Sequence, residues 1–251
     1  MTVKQYWVAG LITVVAVSAA ALAQRPERGW FGGHQGQLGA MLPAKVVTNA
    51  PYSGVGVTTS NRTLADGNTI TESRCVKFYR DSTGRTRQEE TPNSATCAAT
   101  PAAIVITDPA AGVRYFVNTK AGTYRQMTFH APPEATPATG HHPRNSTDQV
   151  ETSLGTQPIT GTSLNAEGTQ TVRTIPAGQF GNAQPITINT IRWYSPDLQV
   201  VVQTSHTDPR NGTVTYQLSD ISTAEPAASL FQLPSGLTLE KGPGPRGRRA
   251  P

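Results

Sequence analysis

Asp208-Pro209-Arg210-Asn211-Gly212-Thr213-Val214-Thr215-Tyr216-Gln217-Leu218-Ser219 decides the fold class. Val214, Tyr216 and Leu218 alternate with Thr213, Thr215, Gln217 and Ser219. A period of two gives one buried and one wet face, which is the mark of a half-buried β-strand. The five residues before it have the form D-P-x-x-G. Asp accepts a backbone hydrogen bond, Pro presets φ at the second turn position, and Gly takes positive φ on exit. The same form stands at Asp108-Pro109-Ala110-Ala111-Gly112, again after a threonine and before a strand with a tyrosine, Tyr115. The recurrence reads either as a weak duplication or as one hairpin turn used twice.

Outward from this hairpin the rhythm continues. Strands are expected at Ile70 to Arg80, Arg85 to Thr91, Ala103 to Thr107, Val113 to Asn118 and Thr123 to Phe129. The second half gives Gln170 to Ile175, Ile186 to Tyr194, Gln199 to Ser205 and Thr213 to Ser219. The strand Ile186 to Tyr194 changes phase after Ile188, which predicts a bulge or burial on both faces. Gly and Pro number 23 and 20 of 251 residues, favouring turns over helices. Apart from Ala224 to Phe231, which can form a short turn of helix, no helical period follows the first 23 residues. The expected class is mainly β and antiparallel, with very little helix apart from the signal segment.

Those first 23 residues have the order of a secretory signal peptide. Lys4 precedes an apolar run from Tyr6 to Val17, and Ala21-Leu22-Ala23 supplies the A-x-A cleavage pattern. The alternative is an uncleaved anchor, near the lower length limit for crossing a bilayer. Beyond Ala23 no run approaches a transmembrane helix. The expected organisation is a signal peptide at 1–23, a flexible Gly-rich leader at 24–45, and a single β domain at 46–240. A Pro/His-rich loop at 129–148 interrupts the domain, and a disordered basic tail occupies 241–251. The formal net charge is +5, and Lys241, Arg246, Arg248 and Arg249 lie close to the C-terminus. The body is therefore near neutral and gives no basic footprint for nucleic acid. Cys75 and Cys97, the only cysteines, are expected to pair in an oxidising compartment, with two free buried thiols as the alternative.

Several phrases carry a resemblance. They are Leu64-Ala65-Asp66-Gly67-Asn68, Tyr79-Arg80-Asp81-Ser82-Thr83-Gly84-Arg85-Thr86-Arg87, Ile106-Thr107-Asp108-Pro109, Thr174-Ile175-Pro176-Ala177-Gly178, Trp193-Tyr194-Ser195-Pro196-Asp197-Leu198 and Leu230-Phe231-Gln232-Leu233-Pro234. Across roughly residues 50 to 240 they resemble a family of uncharacterised secreted bacterial β-rich proteins. Their order, with Ile159-Thr160-Gly161, is also similar to the periplasmic lipoprotein-carrier and sigma-factor-regulator superfamily of open, one-sided barrels. That resemblance implies a curved antiparallel sheet or open half-barrel, with a β-sandwich as the alternative, around a hollow used for acyl chains or partner peptides. The chain departs from the carriers in one respect. They close the hollow with amphipathic helices, and here almost no helix signal exists.

No G-x-S-x-G, H-E-x-x-H or G-x-x-x-x-G-K motif is present, so no catalytic residue, cofactor or enzyme activity is assigned. Histidines His130, His141 and His142 lack a flanking cluster, and no metal site is assigned. Asp66, Asp81, Asp108, Asp197 and Asp208 adjoin Gly, Pro or Ser and are expected to build turns. Glu89 and Glu90 are neighbours on a strand and face opposite ways. For a ligand-binding wall, strand parity nominates Val76, Phe78, Tyr115, Trp193 and Tyr216. Arg80, Arg85 and Arg87 bracket one hairpin turn and can receive an anionic group, or form a solvated face balanced by Glu72, Glu89 and Glu90. The expected function is a non-enzymatic, exported cell-envelope binding protein, periplasmic or extracellular. It would hold an apolar or amphiphilic ligand, such as a lipid, or a segment of an envelope protein, against a curved sheet. The alternative is a structural protein with a filled β core, tethered to anionic surfaces by its basic tail.

Overall fold

In a computed structural model of the chain, the described residues are 46–129 and 149–240. Twelve strands form along them: β1 (Tyr52–Thr63), β2 (Thr69–Arg80), β3 (Thr86–Pro92), β4 (Ala103–Asp108), β5 (Val113–Asn118), β6 (Thr123–Thr128), β7 (Gln149–Pro158), β8 (Asn165–Ile175), β9 (Ile186–Ser195), β10 (Val200–Asp208), β11 (Gly212–Ser222) and β12 (Thr238–Leu239). They make one open, curved sheet in the order β12-β6-β5-β4-β3-β2-β1-β11-β10-β9-β8-β7. All pairs are antiparallel except β12 on β6. The half-barrel reading therefore holds over the sandwich. The signal segment, leader, basic tail and four histidines (His34, His130, His141, His142) fall outside the described residues.

The order contains two meanders. β1 to β6 run outward in one direction, β7 to β11 return from the far edge, and β1 meets β11 in the middle. The Pro/His-rich stretch stands between them in the chain. Both D-P-x-x-G turns form as expected. Asp108 Oδ1 accepts from the Ala111 N–H at 2.9 Å and Asp208 Oδ1 from the Arg210 N–H at 2.9 Å. Gly212 closes the second with φ at +90°, and a Cβ there would lie 2.1 Å from the Asn61 carbonyl oxygen. A third copy appears at Asn118 to Gly122, where Asn118 Oδ1 accepts from the Ala121 N–H at 3.0 Å and Gly122 has φ at +65°. One turn chemistry reused explains the recurrence without a duplicated half.

Residues opposite one another in a ladder share a face. On one side, the Phe78 face, lie the buried residues Tyr52, Gly54 and Gly56 of β1, Val76, Phe78 and Arg80 of β2, and Tyr216 and Leu218 of β11. Buried Gln88 and Glu90 of β3 and Ala103 and Val105 of β4 continue it. On the other side, the Ile106 face, Ile104, Ile106 and Val117 form a core against Tyr115, Tyr124, Leu233 and Leu237. β4 is buried on both sides, which is why Ile104-Val105-Ile106 is apolar without alternation.

The C-terminal segment clasps the Ile106 face. Glu225 accepts from the Ser82 N–H at 3.1 Å, and the Leu230 carbonyl accepts from Arg87 Nη1 at 3.0 Å. Phe231 is buried, and β12 then pairs with the β6 edge. The expected helix at Ala224 to Phe231 is only a four-residue 3-10 turn, Ala228–Phe231. Pro226 and Pro234 leave no room for more. Cys75 and Cys97 form the disulfide, with Cα atoms 5.4 Å apart, and pin the loop after β3 to β2. Among the described residues no helix is long and apolar enough to cross a membrane.

Candidate functional site

The buried floor of the Phe78 face is built from glycines and the rings laid across them. Gly56 faces Val76 on β2 and Leu218 on β11. A Cβ at Gly56 would meet Phe78 Cε2 at 2.6 Å, Tyr216 Cε2 at 2.7 Å and Tyr216 Oη at 2.9 Å. Absence of a side chain lets the two rings close over the strand. Tyr52 is buried on the same face, and burial pushes its phenol up to about 12. Burial raises the Tyr216 phenol too.

At the end of this floor Arg80 is 2% exposed. Its Nε donates to the Ala50 carbonyl at 2.9 Å and its Nη2 to the Leu198 carbonyl at 2.5 Å. The guanidinium lies 4.8 Å above the Tyr52 ring, and desolvation lowers its pKa. These contacts tie the β9–β10 turn, which carries buried Leu198 and Ser195, to the end of β2. Arg85 is bound by Asp81 at 2.6 Å and lies over Phe231, whereas Arg87 is bound by Glu89 at 2.7 Å. Asp81 also accepts from the Thr83 and Arg85 N–H groups at 3.1 and 2.8 Å. The three arginines therefore do not form a shared basic tip. Arg80 projects to the Phe78 face and Arg87 to the Ile106 face, and each cation is taken up by protein acceptors. Neither Arg80 nor Arg87 is solvated, because strands and the C-terminal segment cover them.

The five nominated wall residues also divide. Val76, Phe78 and Tyr216 lie together on the Phe78 face. Tyr115 belongs to the Ile106 core, edge-on to Tyr124 with ring centroids 6.1 Å apart. Trp193 lies over Gly168, which it opposes in the β8–β9 ladder, on the same side as Tyr115. Parity fails there because β10 carries a register shift between Val201 and Gln203, opposite Tyr194 and Trp193. The phase change in β9 is burial on both faces, since the β8–β9 ladder itself runs without a shift.

Sequence reasoning missed a polar group set into the apolar floor. Glu90 is 5% exposed and lies 3.5 Å from Arg74 Nη1. Gln88, two residues earlier on β3 and on the same face, is 6% exposed. Gln88 Oε1 and Arg74 Nε are buried and have no hydrogen-bond partner among the described residues. The signal was the adjacency of Glu89 and Glu90: opposite faces send Glu89 to Arg87 and leave Glu90 inside. The β7 edge was missed as well. It is exposed at nine of its ten residues, with Val150 at 62% and Leu154 at 38% exposure. Among the described residues no group of His, Cys, Asp and Glu could hold a metal ion.

No protein-family model matches the chain, and neither does any curated protein. Several solved structures are similar to it. The complex of Pseudomonas aeruginosa MucA and MucB matches at 11% identity and TM-score 0.43, over 82% of this chain and 62% of that one. The chain thus spans about three fifths of the length of the matched chain. A LolA-superfamily protein from Nitrosomonas europaea matches at 7% identity and TM-score 0.32, over 76% and 93% of the two chains. A putative outer-membrane lipoprotein-sorting domain from Vibrio parahaemolyticus matches at 5% identity and TM-score 0.25, over 71% and 87%.

Proposed function

We propose that the protein is an exported, non-enzymatic binding protein of the cell envelope that takes an extended segment of a partner polypeptide along β7. The observation that carries this reading is the edge itself. β7 is ten residues long, exposed throughout except at Gln157, and among the described residues no strand lies beyond it. An edge strand presents a row of unpaired N–H and C=O groups, which is what strand addition uses. The side chains on offer are Val, Thr, Ser, Gln and Leu, with Glu151 the single charge and no lysine. Export follows from the signal-like first 23 residues, which place the work in the periplasm or outside the cell. Asp81, Asp108 and Asp208 each accept backbone N–H bonds within turns.

A photo-crosslinking residue placed at Val150 tests this in intact cells, with Gln217 on central strand β11 as the control. A discrete adduct at Val150, absent at Gln217 and lost when Thr152 and Leu154 become lysine, supports strand addition. Equal labelling at both positions, or none at Val150, refutes it. A second reading, an amphiphilic ligand against the sheet, is favoured by the unpartnered polar atoms within the apolar Phe78 face. Tethering by the basic tail is the remaining alternative. It predicts release from membranes by high salt, in a manner that depends on residues 241–251.

A further inference from the structure

We infer that the Phe78 face holds a binding site for an uncharged, hydroxylated head group carried on an apolar chain, received by Gln88, Glu90 and Arg74. This deepens the amphiphile reading and is independent of β7. The argument starts from satisfaction. A buried polar atom without a partner is rare in a native protein and calls for an explanation. Here two occur around one cluster: Gln88 Oε1, which needs a donor, and Arg74 Nε–H, which needs an acceptor. A hydroxyl is both donor and acceptor, so a group with neighbouring hydroxyls can answer both needs.

Charge narrows the class. Glu90 and Arg74 lie 3.5 Å apart, with side chains 7% and 12% exposed, and their charges cancel. An ionic head entering this site would lose its water without gaining a free counter-charge. A neutral head would not. Spacing sets the size. Gln88 and Glu90 are two residues apart on one strand, about 7 Å, and Arg74 reaches Glu90 from β2. That span suits a glycerol or a single sugar. The surroundings supply the apolar part, because Gln88 is flanked in the ladder by Phe78 and Val105, both buried. The head group can come from a glycolipid or from a monoacylglycerol, which share neighbouring hydroxyls on one chain.

The test titrates the full chain with octyl glucoside, monocapryloylglycerol, sodium octyl sulfate and octyltrimethylammonium, each below its micellar concentration, by calorimetry. The wild type is expected to bind at least one hydroxylated probe at least tenfold more tightly than either ionic probe. The stronger of the two hydroxylated probes identifies the source. Gln88→Leu should weaken that binding at least tenfold while leaving the melting temperature unchanged or higher, since it removes a buried unsatisfied acceptor. If Gln88→Leu does not fold, Gln88→Glu replaces it, and preference should move toward octyltrimethylammonium. Binding of no probe overturns both this inference and the amphiphile reading. Ionic probes binding as tightly as hydroxylated ones, or undiminished binding by the Gln88 variant, overturn the head-group assignment alone.

Discussion

Gly56→Ala is the most direct probe of how the Phe78 face is filled. The added methyl carbon would sit 2.6 Å from Phe78 Cε2 and 2.7 Å from Tyr216 Cε2. Ordinary carbon contacts lie at about 3.5–4.0 Å, so each ring must retreat by roughly 1 Å. Phe78 and Tyr216 are 7% and 8% exposed, and neither has open water to swing into. Overpacking of this kind costs about 1–3 kcal/mol. Alanine recovers about 0.5–1 kcal/mol of the backbone entropy that glycine loses in a strand. The expected net loss is about 1 kcal/mol, or a melting temperature lower by about 2–4 °C for a domain of this size. Thermal melting and urea titration measure it. Phe78→Leu placed in the same chain should relieve part of the strain, giving a double variant more stable than the sum of the single effects. A Gly56→Ala protein as stable as the wild type would mean that the two rings do not lie across this strand.

Three further outcomes follow from the same contacts. Replacing Cys75 and Cys97 by alanine opens a covalent loop with a sequence separation of 22 and should cost about 3 kcal/mol in the chain-entropy model, read as a lower urea midpoint that matches the reduced wild type. Arg80→Met should cost about 2–4 kcal/mol because it orphans the Ala50 and Leu198 carbonyls inside the protein; equal stability in urea would show that those carbonyls have other partners. The Tyr52 phenol is raised from 10.0 to about 12 by burial, so the unfolded chain loses its proton first. Stability is whole below pH 10 and falls as pH rises toward 12, by up to about 2–3 kcal/mol from this group. Tyr52→Phe should therefore flatten the alkaline limb of a stability–pH curve, leaving the part that Tyr216 supplies; an unchanged limb contradicts the burial.

Where an element is amphipathic, its residues state it openly. β5, from Val113 to Asn118, and the expected strand ending at Arg80 appear as read, because apolar and polar residues alternate along them or turn residues bound them. β1 went unread because Gly54 and Gly56 occupy its inward positions: the apolar signal that should mark them sits on Phe78, Tyr216 and Leu218 of neighbouring strands. β7 went unread for the opposite reason. It buries almost nothing, so its composition follows solvent and not a core. The wall residues show how far parity carries. Val76 and Phe78 share a strand, and parity places them together without ambiguity. Tyr115 and Trp193 need the relative register of four other strands, including a bulge in β10, and no local pattern encodes that.

The arginines separate what stabilises this fold from what it can recognise. Arg80 and Arg87 look in sequence like a pair of anion receptors beside one turn, yet each is a tie between distant parts of the chain. Arg80 binds a carbonyl 118 residues away, and Arg87 binds one 143 residues away. A cation whose donors already meet carbonyls in a covered site has little left for a ligand, and displacing those carbonyls would leave them unpaired. Arg74 is the contrast. It pairs with Glu90 at 3.5 Å, longer than a good charge-assisted hydrogen bond of about 2.7–2.9 Å, and keeps its Nε–H unused. Recognition belongs where hydrogen-bonding capacity is unspent. On the sheet's faces that criterion selects the Gln88–Glu90–Arg74 cluster, and along its margin the open backbone of β7.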